Sequence, residues 1–213
     1  MKYYFLVLFA FLLFCSVVSA TTDANVDPDA DGVTLEWTPI PSGDHYATID
    51  DGTRQPAVPN LDDYIEINSG AGQDNFADTF YMETLTGVDS VSSIKIWVYG
   101  KTGPADDEVH ADISLDDGST WVGSGEIIPE STSSAAWFSK TFNGTWTQAQ
   151  LNTLHTKLIY KFVGGVAIGD TAVYAMYAEI TYEEVVIPEY SLMVFVAVSV
   201  ASIGIALLIA NKK

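Results

Sequence analysis

The chain has 213 residues and carries 28 Asp+Glu against 9 Lys+Arg, a formal charge of −19. Such a balance excludes nucleic-acid binding through phosphate contacts, which needs Lys and Arg in quantity. The only cysteine is Cys15, so a disulfide scaffold is excluded as well.

Residues 1–20 read as an export signal. Lys2 precedes an apolar run over 3–15, and Val18 and Ala20 stand where a signal peptidase reads small side chains. The run is short of the roughly 20 residues that a membrane span needs. Phe14 occupies the position before Cys15 where a lipobox requires a small residue, so lipidation at Cys15 is not expected.

Residues 21–32 read as an acidic linker. Within it, Asp27-Pro28-Asp29-Ala30-Asp31-Gly32 has the alternate-carboxylate spacing of calcium loops, in which Asp27, Asp29 and Asp31 converge on one hard cation and Gly32 permits the turn. Thr38 stands at the twelfth position in place of the bidentate Glu, so a solvated spacer is the competing reading. Ca2+ is the one cofactor this sequence suggests.

Residues 33–184 read as the folded domain. Short runs of alternating polarity are broken by Gly, Asp, Pro and Ser. Ile94, Ile96 and Val98 oppose Lys95, Trp97 and Tyr99, and Val109, Ala111 and Ile113 oppose His110, Asp112 and Ser114. Leu158, Tyr160 and Phe162 repeat the pattern, as do Tyr174, Met176, Ala178, Ile180 and Tyr182. Period two is the signature of half-buried antiparallel strands. Eight to ten such strands predict an all-β fold, an antiparallel β-sandwich of jelly-roll-like kind. One short helix is predicted near 147–154, where Thr147 and Gln150 form a capping box. Trp37, Phe76, Phe80, Trp97, Trp137, Phe138, Phe142 and Trp146 read as core packing; a glycan-stacking platform is the other use for such rings.

Three polar motifs lie in this domain. Asp106-Asp107-Glu108 reads as a charged loop tip. Asn143-Gly144-Thr145 is the one N-x-Ser/Thr sequon and reads as a turn with Asn143 as glycan acceptor. Ser114-x-Asp116-x-Gly118-x-Thr120-Trp121 resembles the Asp box of sialidases and other β-proteins. That likeness implies a hairpin turn locked by Asp116 and Thr120, with Gly118 supplying the unusual φ and Trp121 packed beneath. A single copy speaks against a sialidase propeller. No catalytic residues are assigned: His45, His110 and His155 lack metal-ligand spacing, and there is no nucleophile elbow or phosphate-binding glycine loop.

Residues 185–189 lead into an uncharged stretch over 190–210, long enough as a helix to match a bilayer's hydrocarbon core, and 211–213 carry Lys212 and Lys213. The terminal lysines fit a cytoplasmic tail. Ile187-Pro188-Glu189-Tyr190, the apolar span and the basic end resemble the sorting tails of exosortase and archaeosortase substrates, whose signature is Pro-Glu-Pro or Pro-Glu-Phe. The resemblance makes Pro188, Glu189 and Tyr190 the sorting residues and implies a protease or transferase partner that removes the span. A plain single-pass anchor is the alternative. The domain from Trp37 to Tyr182 resembles, loosely, jelly-roll-like modules of prokaryotic surface and phage proteins.

All 28 acids but only six of the nine cations fall within 21–189, so the exported part carries −22. Such charge keeps an exposed domain soluble. The whole reads as a membrane-anchored cell-surface protein of a prokaryotic envelope, archaeal ones included, with a structural or adhesive role and no enzymatic activity. The alternatives are a surface carbohydrate-binding module and, further off, a glycoside hydrolase. Expected partners are the membrane, the sorting enzyme, glycans or other surface proteins, and no nucleic acid.

Overall fold

The computed structural model describes residues 18–68, 71–103, 107–164 and 170–186. The expected leader over 1–17, the sorting residues Pro188, Glu189 and Tyr190, and the expected span over 190–210 lie outside the described residues. No helix among the described residues is long and apolar enough to cross a membrane.

Eleven strands and two short helices make up the described chain. In order they are β1 (Val18–Val26), β2 (Pro28–Leu35), β3 (Thr38–Ile40), α1 (His45–Ile49), β4 (Tyr64–Asn68), β5 (Ala77–Met82), β6 (Ser90–Lys101), β7 (Asp107–Ser114), β8 (Val122–Ile128), β9 (Ala136–Trp146), α2 (Gln148–Leu151), β10 (His155–Phe162) and β11 (Asp170–Val186). A single 3-10 turn, Ala71–Gln73, precedes β5. One sheet runs β3-β4-β11-β6-β9 with β1 also on β11; the other runs β2-β5-β10-β7-β8. From β4 to β11 the chain crosses between sheets at every connection except the β7–β8 hairpin, giving β4-β11-β6-β9 in one sheet and β5-β10-β7-β8 in the other. That is the strand order of a jelly roll.

The inner faces form the core. Ile94, Ile96 and Val98 of β6 are fully buried, as are Ala178 and Ile180 of β11 and Val109, Ala111 and Ile113 of β7. Phe80, Leu158 and Tyr160 close the layer from the second sheet. Full burial of each large aliphatic side chain is worth about 1.5–3 kcal/mol, so this alternation, rather than strand propensity, sets the register.

Several expectations are corrected. The segment read as a linker is strand: β1 and β2 occupy it, and β2 pairs with β5. Alternation there is masked by aspartates that find partners inside the fold. Asp107 and Glu108 open β7 instead of capping a loop, and Asp107 is fully buried, accepting from the Tyr160 hydroxyl at 2.6 Å. Asn143 is not on a turn. It lies within β9, opposite Ser93 of β6, and the ring of Trp146 covers Gly144 so closely that a Cβ there would sit 2.3 Å from it. The expected helix forms as α2, its capping box complete between Thr147 and Gln150.

Candidate functional site

The outer face of the β6-bearing sheet carries a second apolar layer, separate from the core. Trp97 and Tyr99 follow Lys95 on the side of β6 opposite Ile94, Ile96 and Val98. On β11 a bulge between Val173 and Ala175 breaks the alternation. Val173 and Met176 stay in the core, while Tyr174 and Ala175 join the outer cluster with Tyr99. Two residues then oppose one, which is what a bulge does. Tyr174, read from the sequence as sharing a face with Met176, therefore points the other way.

Register then lines the rings up. Ile65 of β4 faces Val173, placing Tyr64 beside Tyr174, and Tyr99 of β6 faces Trp137 of β9. Ring centroids are 5.2 Å apart for Tyr64–Tyr174, 6.1 Å for Tyr174–Tyr99 and 5.3 Å for Tyr99–Trp137. Four adjacent strands thus contribute one ring each to a row across the sheet, about 14 Å long at the usual strand spacing of about 4.8 Å. Beside it, Trp97 of β6 stacks on its cross-strand partner Tyr177, at 6.1 Å and 16°, and Tyr177 meets Trp137 edge-on at 5.6 Å. Tilted and edge-to-face pairs of this kind add about 0.5–1.5 kcal/mol each beyond burial. Trp97 and Trp137, expected in the core, are half-buried on this outer face.

Charged groups bracket the rings. On one side the Lys95 ammonium lies 4.5 Å from the Trp97 ring centroid and 3.5 Å from Glu179, and Trp97 Nε1 donates to the other Glu179 oxygen at 3.2 Å. On the other side Glu66 and Lys101 flank Ala172 in register. Burial and then Asp170 push the Glu66 carboxyl above its ordinary value, against the pull of Lys101.

Residues 50–63 cross this face. Arg54 places its guanidinium 4.6 Å from the Tyr177 centroid and 2.5 Å from an Asp27 oxygen. Trp137 Nε1 donates to the Ala57 carbonyl at 2.6 Å. Burial raises the Tyr177 hydroxyl's pKa, with a backbone hydrogen bond from Gln55 opposing it. Tyr64 is raised too, first by burial and next by Glu66. Both hydroxyls therefore stay protonated at neutral pH and remain donors. Within the same segment, Val58 and Leu61 are exposed. Tyr99, Tyr174 and Tyr177 are buried in this layer, whereas Tyr64, Trp97 and Trp137 are half-buried. Half-buried rings flanked by polar groups can stack against a flat, hydroxyl-rich ligand and hydrogen-bond its rim.

The expected calcium residues are not brought together. Asp27 pairs with Arg54, Asp29 is exposed on β2, and Asp31 accepts from the backbone N–H of His45 and Tyr46 at 3.1 and 2.7 Å, capping α1. Among the described residues no group of three or more His, Cys, Asp or Glu could hold a metal. The three histidines are likewise apart, each facing its own acid: Asp78 for His45, Glu108 for His110 and Asp117 for His155.

The segment from Ser114 to Trp121 forms the β7–β8 turn. Thr120 donates to Asp116 through its backbone N–H at 2.8 Å and its hydroxyl at 2.6 Å, and Ser114 Oγ accepts from Gly118 N–H at 2.9 Å while donating to Asp116. Gly118 takes φ +76° and Asp117 φ +60°. Trp121 covers Lys157, whose ammonium lies 4.4 Å from the ring centroid. Asn143 is exposed on edge strand β9.

Sequence reasoning missed Asp78. This fully buried carboxylate accepts from the backbone of Glu36 and Trp37 at 2.7 and 2.9 Å and meets His45 Nδ1 at 2.5 Å. It latches β5 to the segment after β2 and to α1; nothing in its alternating neighbourhood marked it.

No protein-family model matches the chain, and no curated protein does. Several solved structures are similar to it. The xylan-binding module CBM15 is 10% identical with a TM-score of 0.38, over 80% of this chain and 100% of that one. The C-terminal domain of a chitobiase from Bacteroides fragilis is 16% identical with a TM-score of 0.38, over 73% and 99%. The VP2 subviral particle of infectious bursal disease virus is 12% identical with a TM-score of 0.42, over 80% and 34%. This chain spans about a third of the length of the viral chains it matches. At these values the likenesses carry no functional assignment.

Proposed function

We propose that the chain is a non-enzymatic cell-surface module that captures carbohydrate on the outer face of the β6-bearing sheet. One observation carries this reading: six aromatic rings from four adjacent strands touch one another on a face that the core does not need. Rings placed for stability alone belong between the sheets, where Phe80, Phe142 and Trp37 lie. Three of the outer rings, Tyr64, Trp97 and Trp137, are half-buried, and with charged groups at their margins they suit the alternating apolar and hydroxyl surfaces of a sugar chain.

The reading keeps the expectation of export and anchoring, with residues 1–20 as leader and 190–210 as span, so that capture serves adhesion at the envelope. Fractionation of expressing cells, followed by mass spectrometry of both termini, tests that part. A glycan array tests the binding itself. Wild-type protein is expected to bind a subset of polysaccharide probes, and Trp137→Ala to lose at least ten-fold on those probes. Hydrolysis of a bound glycan, abolished by one carboxylate substitution, would favour the glycoside hydrolase instead.

A further inference from the structure

We infer that the glycan held on this face is an uncharged chain, lying against the half-buried rings of Tyr64, Trp97 and Trp137. This inference rests on the carbohydrate-binding reading and deepens it. Six cations serve the exported part of the chain, and three of them, Arg54, Lys95 and Lys101, border the rings. Taken by number alone they would suit a uronate or a sulfated sugar. Their placement says otherwise. Arg54 is held by Asp27 and lies against Tyr177. Lys95 is held by Glu179 and lies against Trp97. Lys101 faces the field of Glu66 and Asp170.

An acidic sugar would have to break the Asp27 or Glu179 pair to gain Arg54 or Lys95, leaving that carboxylate uncompensated beside the incoming negative charge, and at Lys101 it would meet the Glu66 and Asp170 carboxylates. It would also approach a chain of net charge −19, whose field repels anions. A neutral sugar meets neither cost. Its hydroxyls donate to the Glu179 and Glu66 carboxylates and accept from Lys95 and the Tyr64 hydroxyl, while its ring faces lie on Tyr64, Trp97 and Trp137. The cations therefore orient rings and carboxylates instead of reading charge.

Affinity electrophoresis of the full chain in mild non-ionic detergent tests the inference. The gels contain neutral polysaccharides (hydroxyethylcellulose, glucomannan, neutral arabinoxylan) or anionic ones (polygalacturonate, hyaluronate). The expected result is retardation by at least one neutral polymer, unchanged within about two-fold between 0.05 and 0.5 M NaCl, and none by the anionic polymers. Salt independence follows because no ion pair forms with ligand. Glu179→Gln, which keeps an acceptor for Trp97 Nε1 but unpairs Lys95, is expected to gain retardation on an anionic gel. Retardation of the wild type by anionic polymers alone overturns the inference and leaves the carbohydrate reading standing. Retardation by neither class overturns both. A Glu179→Gln protein that runs as wild type on every gel overturns the role given to the Lys95–Glu179 pair.

Discussion

Trp137 on edge strand β9 and Ala57 in the 50–63 segment are joined by a 2.6 Å hydrogen bond from the indole Nε1 to the peptide carbonyl. The bond ties a loop without strands or helices of its own to the aromatic row, alongside Arg54 over Tyr177. Trp137→Phe keeps a ring but removes the donor. A neutral hydrogen bond is worth about 1 kcal/mol, so trypsin cleavage after Arg54 is expected to accelerate about five-fold while the global urea midpoint moves little. Unchanged cleavage would show that the loop is held elsewhere.

Asp78 is the larger stability determinant. Asp78→Ala leaves the buried Trp37 N–H and His45 without their acceptor and the Glu36 N–H with only the Ala77 carbonyl, a loss expected to cost about 3 kcal/mol. Urea unfolding followed by tryptophan fluorescence reads it. Asp78→Asn, which retains one carbonyl acceptor, is expected to fall between the variant and wild type.

The β7–β8 turn gives a prediction with a pH sign. Hydrogen bonds from the Thr120 side chain and backbone, then from Ser114, hold the Asp116 carboxyl below its ordinary value. A depressed carboxyl contributes stability above its unfolded pKa, and that contribution is lost as pH falls through the folded pKa. Thr120→Val removes the leading cause, so the Asp116 side-chain titration followed by NMR is expected to move upward. An unmoved titration would place the cause elsewhere.

His155 supplies the opposite chemistry with the same sign. Burial lowers its pKa, against the pull of Asp117 and Asp116. The unfolded chain takes up the proton first, so stability declines as pH falls from about 6.5 toward the folded pKa and levels off below it. His155→Gln is expected to flatten that part of the stability–pH curve, with Tyr81, whose ring lies 4.1 Å from the imidazole, keeping its packing. A curve as steep as wild type there would reject the assignment.

Much of the architecture was legible in the sequence. Alternation in β6, β7 and β10 follows directly from which face is buried, and Thr147 with Gln150 marked α2 because a capping box is a local device. The outer ring row is half legible: Lys95, Trp97 and Tyr99 oppose Ile94, Ile96 and Val98 in the sequence, yet composition alone sends Trp97 to the core because large rings are highly buried on average. What hid the rest was non-local. The bulge that turns Tyr174 outward depends on pairing with β6, and Asp27, Asp31 and Asp78 resemble solvated acids until Arg54, α1 and His45 are folded against them.

The most direct measurement is an NMR titration of the full chain, in detergent, with a fragment of any polysaccharide that retards it. The five tryptophan indole N–H signals report separate places: Trp97 and Trp137 in the ring row, Trp37 and Trp146 against the core, Trp121 at the β7–β8 turn. The account predicts shifts concentrated on Trp97 and Trp137, saturating together, with Trp37 and Trp121 unmoved. Shifts confined to Trp121, or binding that leaves both Trp97 and Trp137 unperturbed, would contradict it.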